Sequence, residues 1–400
     1  MSPPPRPHPL SRSPLVDRTC GWLESAWSKG LLTRPTLDPD VLFEKACKDA
    51  TPSAEHGIRA ESDIADFRLR LTMLTASLTE EAKLNPLGLT IAHGQLVRVI
   101  RQRLELGALW SDQPGLAGGP LAAPVIIAGQ MRSGTTRLHR LLAADPQFSS
   151  TRFCDSWLPV PRRPDTRPAW SAISLLFARK LDPWLDSIHP FGVTRADEEL
   201  GWLACALNHG TYEAQWRVPT FTAFSESRDP APVYREFARI LSTDAHYHGN
   251  ADRPRVLKVP QFAEDLPALL AQFPNARVIL TKRCDQQTAN SAASLVANQM
   301  TIQSDDVDMD WIEAEMGRKI SLRQSRMDAA IANFTGPKTT VDFDALGDDW
   351  KDVIGQVYSD LGILLPASSL SAMQGEHDRA AVSAHHAHAK QYRAFAQSGV

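Results

Sequence analysis

The sequence has no apolar run approaching the ~18 residues that cross a bilayer, so no membrane-spanning helix is expected. It also has no CxxC pair: the five cysteines, Cys20, Cys47, Cys154, Cys205 and Cys284, are odd in number and far apart. That spacing supports neither a zinc site nor a disulfide framework, and a reducing cytoplasm is the natural setting. An excess of one charge sign is missing too. Lysine and arginine total 43 against 46 aspartates and glutamates, a formal net charge of -3, whereas nucleic-acid binders carry a basic surplus. Nucleic acid is therefore not an expected partner. The opening MSPPPRPHPLSRSPL has no hydrophobic segment and so no secretion signal, and its prolines predict a disordered lead over residues 1–35.

What is present is ample material for a core, with 400 residues of which 43% are hydrophobic. Residues 36–120 read as a helical region. Ile64, Phe67, Leu71, Leu74 and Leu78 recur at helical spacing, a second helix is predicted over 91–106, and SDQPGLAGGP at 111–120 reads as a linker. After it the texture changes. Val125–Ala128 is a short apolar run of the kind buried on both faces of a parallel sheet, and further strands are predicted at 255–259, 277–281 and 339–343. Helical patterns at 136–144, 264–273, 286–299, 311–334 and 350–361 separate or follow them, the last closed by Gly362. Strands alternating with helices imply an α/β domain from 121 to 400, with a mostly parallel sheet covered on both faces in a P-loop-like, three-layer α/β/α arrangement.

The segment AGQMRSGTT, residues 128–136, follows a buried strand and precedes a helix, the setting a phosphate loop requires. Backbone N–H groups at a helix start point outward unsatisfied, and glycines let the chain approach an anion. Met131, Arg132, Ser133, Gly134, Thr135 and Thr136 form the candidate cradle, with Arg132 supplying a planar cationic fork and the hydroxyls supplying donors. Thr135 stands where a nucleoside-triphosphatase carries the lysine that reaches the outer phosphates, which argues against ATP or GTP hydrolysis.

PVIIAGQMRSGTTRLHRLLAADPQF resembles the first motif of the 3'-phosphoadenosine-5'-phosphosulfate (PAPS)-dependent sulfotransferase superfamily, in its bacterial branch with an N-terminal helical region. Met131 replaces the usual proline. The resemblance covers most of the chain after residue 120 and implies that the loop binds the 5'-phosphosulfate of PAPS, with no metal required. A second family motif pairs an arginine at a strand end with a serine eight positions later, and VILTKRCDQQTANSAASL supplies Arg283 and Ser291. In the family this pair holds the 3'-phosphate. LKVPQF resembles the family's L-K-[ST]-P-x-H-L, with Lys258 and Pro260 matching and Phe262 in place of the histidine.

Sulfuryl transfer to a small-molecule hydroxyl or amine needs positive charge at the leaving oxygen and a base for the acceptor proton. Lys258 is the candidate for the first role. Asp155, together with Asp197 and Glu198 in a stretch resembling the family's A-D-E-E, are the candidates for the second; an acidic run at a helix start also suits capping. His139 reads as a packing residue. His385, His386 and His388, ahead of Lys390 and Tyr392, resemble a His-rich stretch near the family's C-terminus and have no metal-partner spacing. Asp305, Asp306, Asp308 and Asp310 read as a solvated loop. Two alternatives accompany this reading: a nucleotide kinase or NTPase of similar architecture, and a non-catalytic homologue that retains PAPS binding, as Phe262 would allow.

Overall fold

A computed structural model describes residues 6, 8, 10–49 and 52–381, and the predicted His385–Tyr392 stretch lies outside them. Four parallel strands form the sheet in the order β2-β1-β3-β4: β1 Val125–Ala128, β2 Val256–Lys258, β3 Arg277–Lys282 and β4 Lys338–Asp342. Eleven of the helices matter here: α1 Pro14–Ser28, α2 Glu61–Glu80, α3 Pro86–Asp112, α4 Thr135–Ala143, α5 Arg167–Leu181, α6 Ala231–Tyr247, α7 Phe262–Gln272, α8 Asp285–Gln303, α9 Met309–Ala332, α10 Trp350–Asp360 and α11 Ala367–Ala381.

Alternation along β1 divides the core between two helical layers. Val125 and Ile127 join Leu138, Leu141 and Leu142 of α4 and Trp350, Ile354 and Val357 of α10. Ile126 and Ala128 face the other way, toward Phe237 and Ile240 of α6 and Phe262 and Leu266 of α7. All four strand residues are fully buried, which is why the run carries no polar position. Burial of each of the larger three, Val125, Ile126 and Ile127, contributes roughly 1.5–3 kcal/mol.

Three expectations need correction. Residues 14–28, inside the expected disordered lead, form α1: Ser13 caps it by accepting from the Leu15 N–H, Pro14 starts it, and Val16, Leu23 and Ala26 are buried. Proline suits the first helical position, where its missing N–H costs nothing. The expected linker at 111–120 contains the end of α3 and a short helix, Gly115–Gly118, packed against α6. Gly119 makes that contact feasible, since a Cβ there would lie 2.4 Å from the His246 ring. The helix ending at Asp360, with Gly362 at φ +64°, is followed by α11, which packs on α4.

The N-terminal helices share a core with the rest of the chain. Phe67, Leu71, Leu74 and Leu78 of α2 and Leu96, Val99, Ile100 and Leu104 of α3 cluster with Tyr212, Trp216 and Phe221. A buried ion network joins the same parts. Arg59 donates twice to Glu236 of α6, at 2.8 and 2.6 Å, and Arg103 of α3 lies 3.6 Å from the same carboxylate. Burial opposes the charge on Glu236, yet Arg59 and Arg103 outweigh it and hold its pKa at about 2. The stability from this depressed pKa is present above the unfolded value of ~4.3 and is lost as pH falls toward the folded value. We predict that Glu236→Gln destabilises the protein by ~3–5 kcal/mol at pH 7, because it leaves buried guanidinium charge without its partner. The gap between variant and parent narrows at acid pH, as urea unfolding at pH 7 and pH 3 will measure.

Candidate active site

β1 is flanked by β2 and β3, with Ile127 paired to Lys258 on one side and Ala128 to Leu280 on the other. The turn at 129–134 therefore leaves the sheet between the carboxyl ends of two neighbours, the crevice where open α/β sheets hold ligands. Both of its glycines are required by contact. A Cβ on Gly129 would lie 2.0 Å from Thr281 Oγ1, and one on Gly134 would lie 2.4 Å from the Phe343 ring. Gly134 also has φ +81° where it caps α4, and Arg132 adopts φ +67°, a left-handed conformation rare for a side chain of its size.

The turn is tied internally and to its surroundings. The Ser133 hydroxyl donates to the Gln130 carbonyl at 2.6 Å and lies 2.7 Å from Thr281 Oγ1, so it serves the turn itself rather than projecting outward as expected. Gln130 Nε2 donates to the Ile320 carbonyl of α9, and Met131 packs against the Ala292–Val296 surface of α8. Thr135 is buried at the start of α4. Thr136 Oγ1 accepts from Lys258 Nζ at 3.0 Å.

Arg132, Ser291 and Arg283 come together beside this turn. Arg132 Nε donates to Ser291 Oγ at 2.8 Å, and its Nη1 donates to the Ile188 carbonyl at 3.0 Å. Arg283 donates to the Arg132 backbone carbonyl and lies over the Phe343 ring, 4.1 Å from its centroid. Burial, and then the Arg283 charge, lower the Arg132 pKa to about 10 against the pull of Glu198, so the group remains cationic at neutral pH. Two guanidinium groups thus lie close together in a partly desolvated space, where each disfavours the charge on the other.

On the opposite flank, Lys258 holds two adjacent glutamates in different ways. Its ammonium pairs with Glu198, whose side chain is partly exposed. Its backbone N–H donates to Glu199 Oε2 at 2.9 Å, and Glu199 is fully buried. Burial pushes the Glu199 pKa up to about 8 despite the Lys258 N–H bond, so this carboxyl is mainly protonated at pH 7.

The remaining candidates have other surroundings. Asp155 is buried, with Arg152 Nε at 2.5 Å, Arg167 at 3.1 Å and His248 at 3.3 Å. Burial opposes its charge, but His248, Arg152 and Arg167 hold it well below the usual carboxylate range. Asp197 Oδ1 accepts from the neighbouring Glu198 N–H at 2.8 Å and lies 3.3 Å from His189 Nε2, and the helix that follows has no side-chain cap. Burial opposes its charge, but His189, the Glu198 N–H and Arg140 together lower its pKa. Phe262 points into the core, edge-on to Phe237 at 5.7 Å. His139 is buried on α4, and burial lowers its pKa to about 3. Of the acidic run at 305–310, Asp308 caps α9 and Asp305 pairs with Arg12. Sequence reasoning missed Thr281, Phe343 and Glu199. Only the steric demand of the two glycines could have pointed toward the first two.

The parallel sheet covered by helices on both faces, with its charged cluster at the strand ends, defines a three-layer α/β protein with a helical N-terminal region. A model of the Sulfotransferase family matches residues 124–366, and the chain belongs to that family. Among solved structures, the fold is shared with a sulfotransferase from Mycobacterium tuberculosis, at 24% identity and a TM-score of 0.74 over 84% of this chain and 92% of that one. It is shared also with a sulfotransferase from Mycobacterium avium, at 18% identity and a TM-score of 0.74 over 85% and 87% of the two chains. A search of curated proteins found no significant match.

Glu199 gives a direct test of these electrostatics. Its folded pKa lies above the unfolded ~4.3, so the stability it contributes is complete below that value and is lost as pH rises through about 8. Glu199→Gln is expected to flatten the stability profile between those limits, measured as urea midpoints across pH 4 to 9.

Proposed function

We infer that this sulfotransferase uses PAPS as sulfuryl donor and transfers the group to a hydroxyl or amine of a small-molecule acceptor. The observation carrying the reading is the convergence of Arg132, Ser291 and Arg283 beside the glycine turn, which offers two cationic positions for the two ends of a doubly phosphorylated adenosine. The backbone N–H groups of the turn and the start of α4 suit the 5'-phosphosulfate. Arg283 and Ser291 suit the 3'-phosphate, and Ser291 exchanges its bond from Arg132 for one to the ligand.

In this reading the acceptor oxygen or nitrogen attacks sulfur, the bond from sulfur to the bridging oxygen breaks, and the acceptor proton passes to Glu198. Lys258 and Arg132 stabilise charge developing on the leaving phosphate. Glu198 is favoured over Asp155 and Asp197 because it is partly exposed in the crevice beside Lys258 and Thr136, whereas the other two are buried. A non-catalytic, PAPS-binding role is the second reading, favoured by the burial of Phe262 where the family motif has histidine.

Calorimetry with 3',5'-adenosine bisphosphate should show that Arg132→Ala and Arg283→Ala each weaken binding by ~1.5–3 kcal/mol; unchanged affinity in both variants removes the site assignment. For the chemistry, Glu198→Gln is expected to lower kcat by ~10²–10⁴-fold with little change in bisphosphate affinity. The measurement is radiolabelled sulfate transfer across phenols, sugars, amines and lipids, and tight binding without transfer to any acceptor supports the second reading.

A further inference from the structure

Most of the aromatics between residues 150 and 225 are accounted for by the core, with Trp202, Trp216 and Phe221 fully enclosed. Trp170 is not. It is 62% exposed on α5, alongside Ile173 at 46%, Leu176 at 57% and Phe177 at 65%. Four of the ten exposed large apolar side chains among the described residues therefore lie on one helix of 15 residues. At about 100° per residue, these four fall within an arc of about 120°. The side chains α5 buries, Arg167, Ser171 and Leu175, lie on the opposite arc. The exposed face is thus a continuous stripe, and it has no covering element among the described residues.

The charge around the stripe indicates its partner. The helix sequence RPAWSAISLLFARKL contains no aspartate or glutamate, in a chain whose net charge is -3. Lys180 is exposed one turn beyond Leu176 and Phe177, and Arg162 and Arg163 are exposed just before the helix. Lys180 has no ion pair among the described residues; Arg163 has none either but lies over the Tyr247 ring at 5.6 Å, and Arg162 pairs with Glu105. The acids that flank the helix in sequence are engaged: Asp165 by Arg152 and Arg167, Asp186 by Arg179, and Asp182 by Asn298. Trp and Phe between cationic ends suit the boundary between acyl chains and anionic headgroups, where the rings enter the boundary and the cations meet lipid phosphate. No helix among the described residues is long and apolar enough to cross a membrane, so the contact is lateral.

We propose that α5 is a docking surface for an anionic membrane, which Trp170, Ile173, Leu176 and Phe177 enter while Lys180 and Arg163 contact headgroups. The helix leads through a turn into a one-turn helix, Leu185–Ile188, and the Ile188 carbonyl receives the Arg132 bond. Docking here sets the candidate site at the edge of a lipid surface and, on the reading of the site given above, favours an amphiphilic acceptor carried in that surface. The docking itself stands independently of that reading.

The experiment is co-sedimentation of the full chain with large unilamellar vesicles of phosphatidylcholine, with and without phosphatidylglycerol. Binding to the anionic vesicles is expected, weakened by added salt. The double variant Trp170→Ser, Phe177→Ser should lower vesicle affinity by about tenfold or more, with thermal midpoint and bisphosphate affinity unchanged because both side chains are exposed. Failure of the parent to sediment with either vesicle overturns the proposal, as does equal sedimentation of the variant. A dimer in sedimentation velocity that the same substitutions dissolve assigns the stripe to a second copy of the chain and likewise overturns it.

Discussion

The left-handed backbone at Arg132 is the constraint on which the site depends. A non-glycine residue holds that conformation only when its surroundings over-determine it. Here they do so from three directions: Arg283 takes the carbonyl, Ser291 and Ile188 take the guanidinium, and Met131 anchors the preceding residue on α8. Each contact comes from beyond the turn's own strand and helix. The turn is therefore shaped by the elements that also carry the second cation and its serine, and neither half of the site can shift without the other.

The sheet behind it serves the same end. Pairing β1 with β2 and β3 fixes Lys258 and Arg283 on opposite flanks of the turn with no irregular backbone of their own. The order β2-β1-β3-β4 puts the crevice where the chain changes direction across the sheet, and β4 delivers Phe343 beneath both Gly134 and Arg283. Core packing and the candidate site share these parts, since the ring that fills space under the turn also supports a guanidinium.

The strands and the turn were legible in the sequence because burial on both faces leaves an unbroken apolar run, and because glycine, arginine and hydroxyl residues in order mark a strand-to-helix turn. The separation of Arg283 and Ser291 was legible through family resemblance. Helix α1 was misjudged because proline content was weighed as a breaker, whereas Pro14 occupies the helix start. Helix α11 went unassigned: it is held partly by polar contacts, such as Arg195 with Glu376 and Arg137 with His377, which have no periodic signature. Thr281 and Phe343 acquire their roles only through strand adjacency, and local pattern does not encode adjacency.

Glu198 and Glu199 look identical in sequence, yet one faces an ammonium in a crevice and the other a backbone N–H inside the protein. A single peptide step separates a group that faces a cation from one enclosed in the protein. A shift of one residue in this segment would therefore put one glutamate in the other's place and hand the vacated place to a different side chain, so one of the two carboxyls would lose its environment while the composition of the segment stayed almost the same.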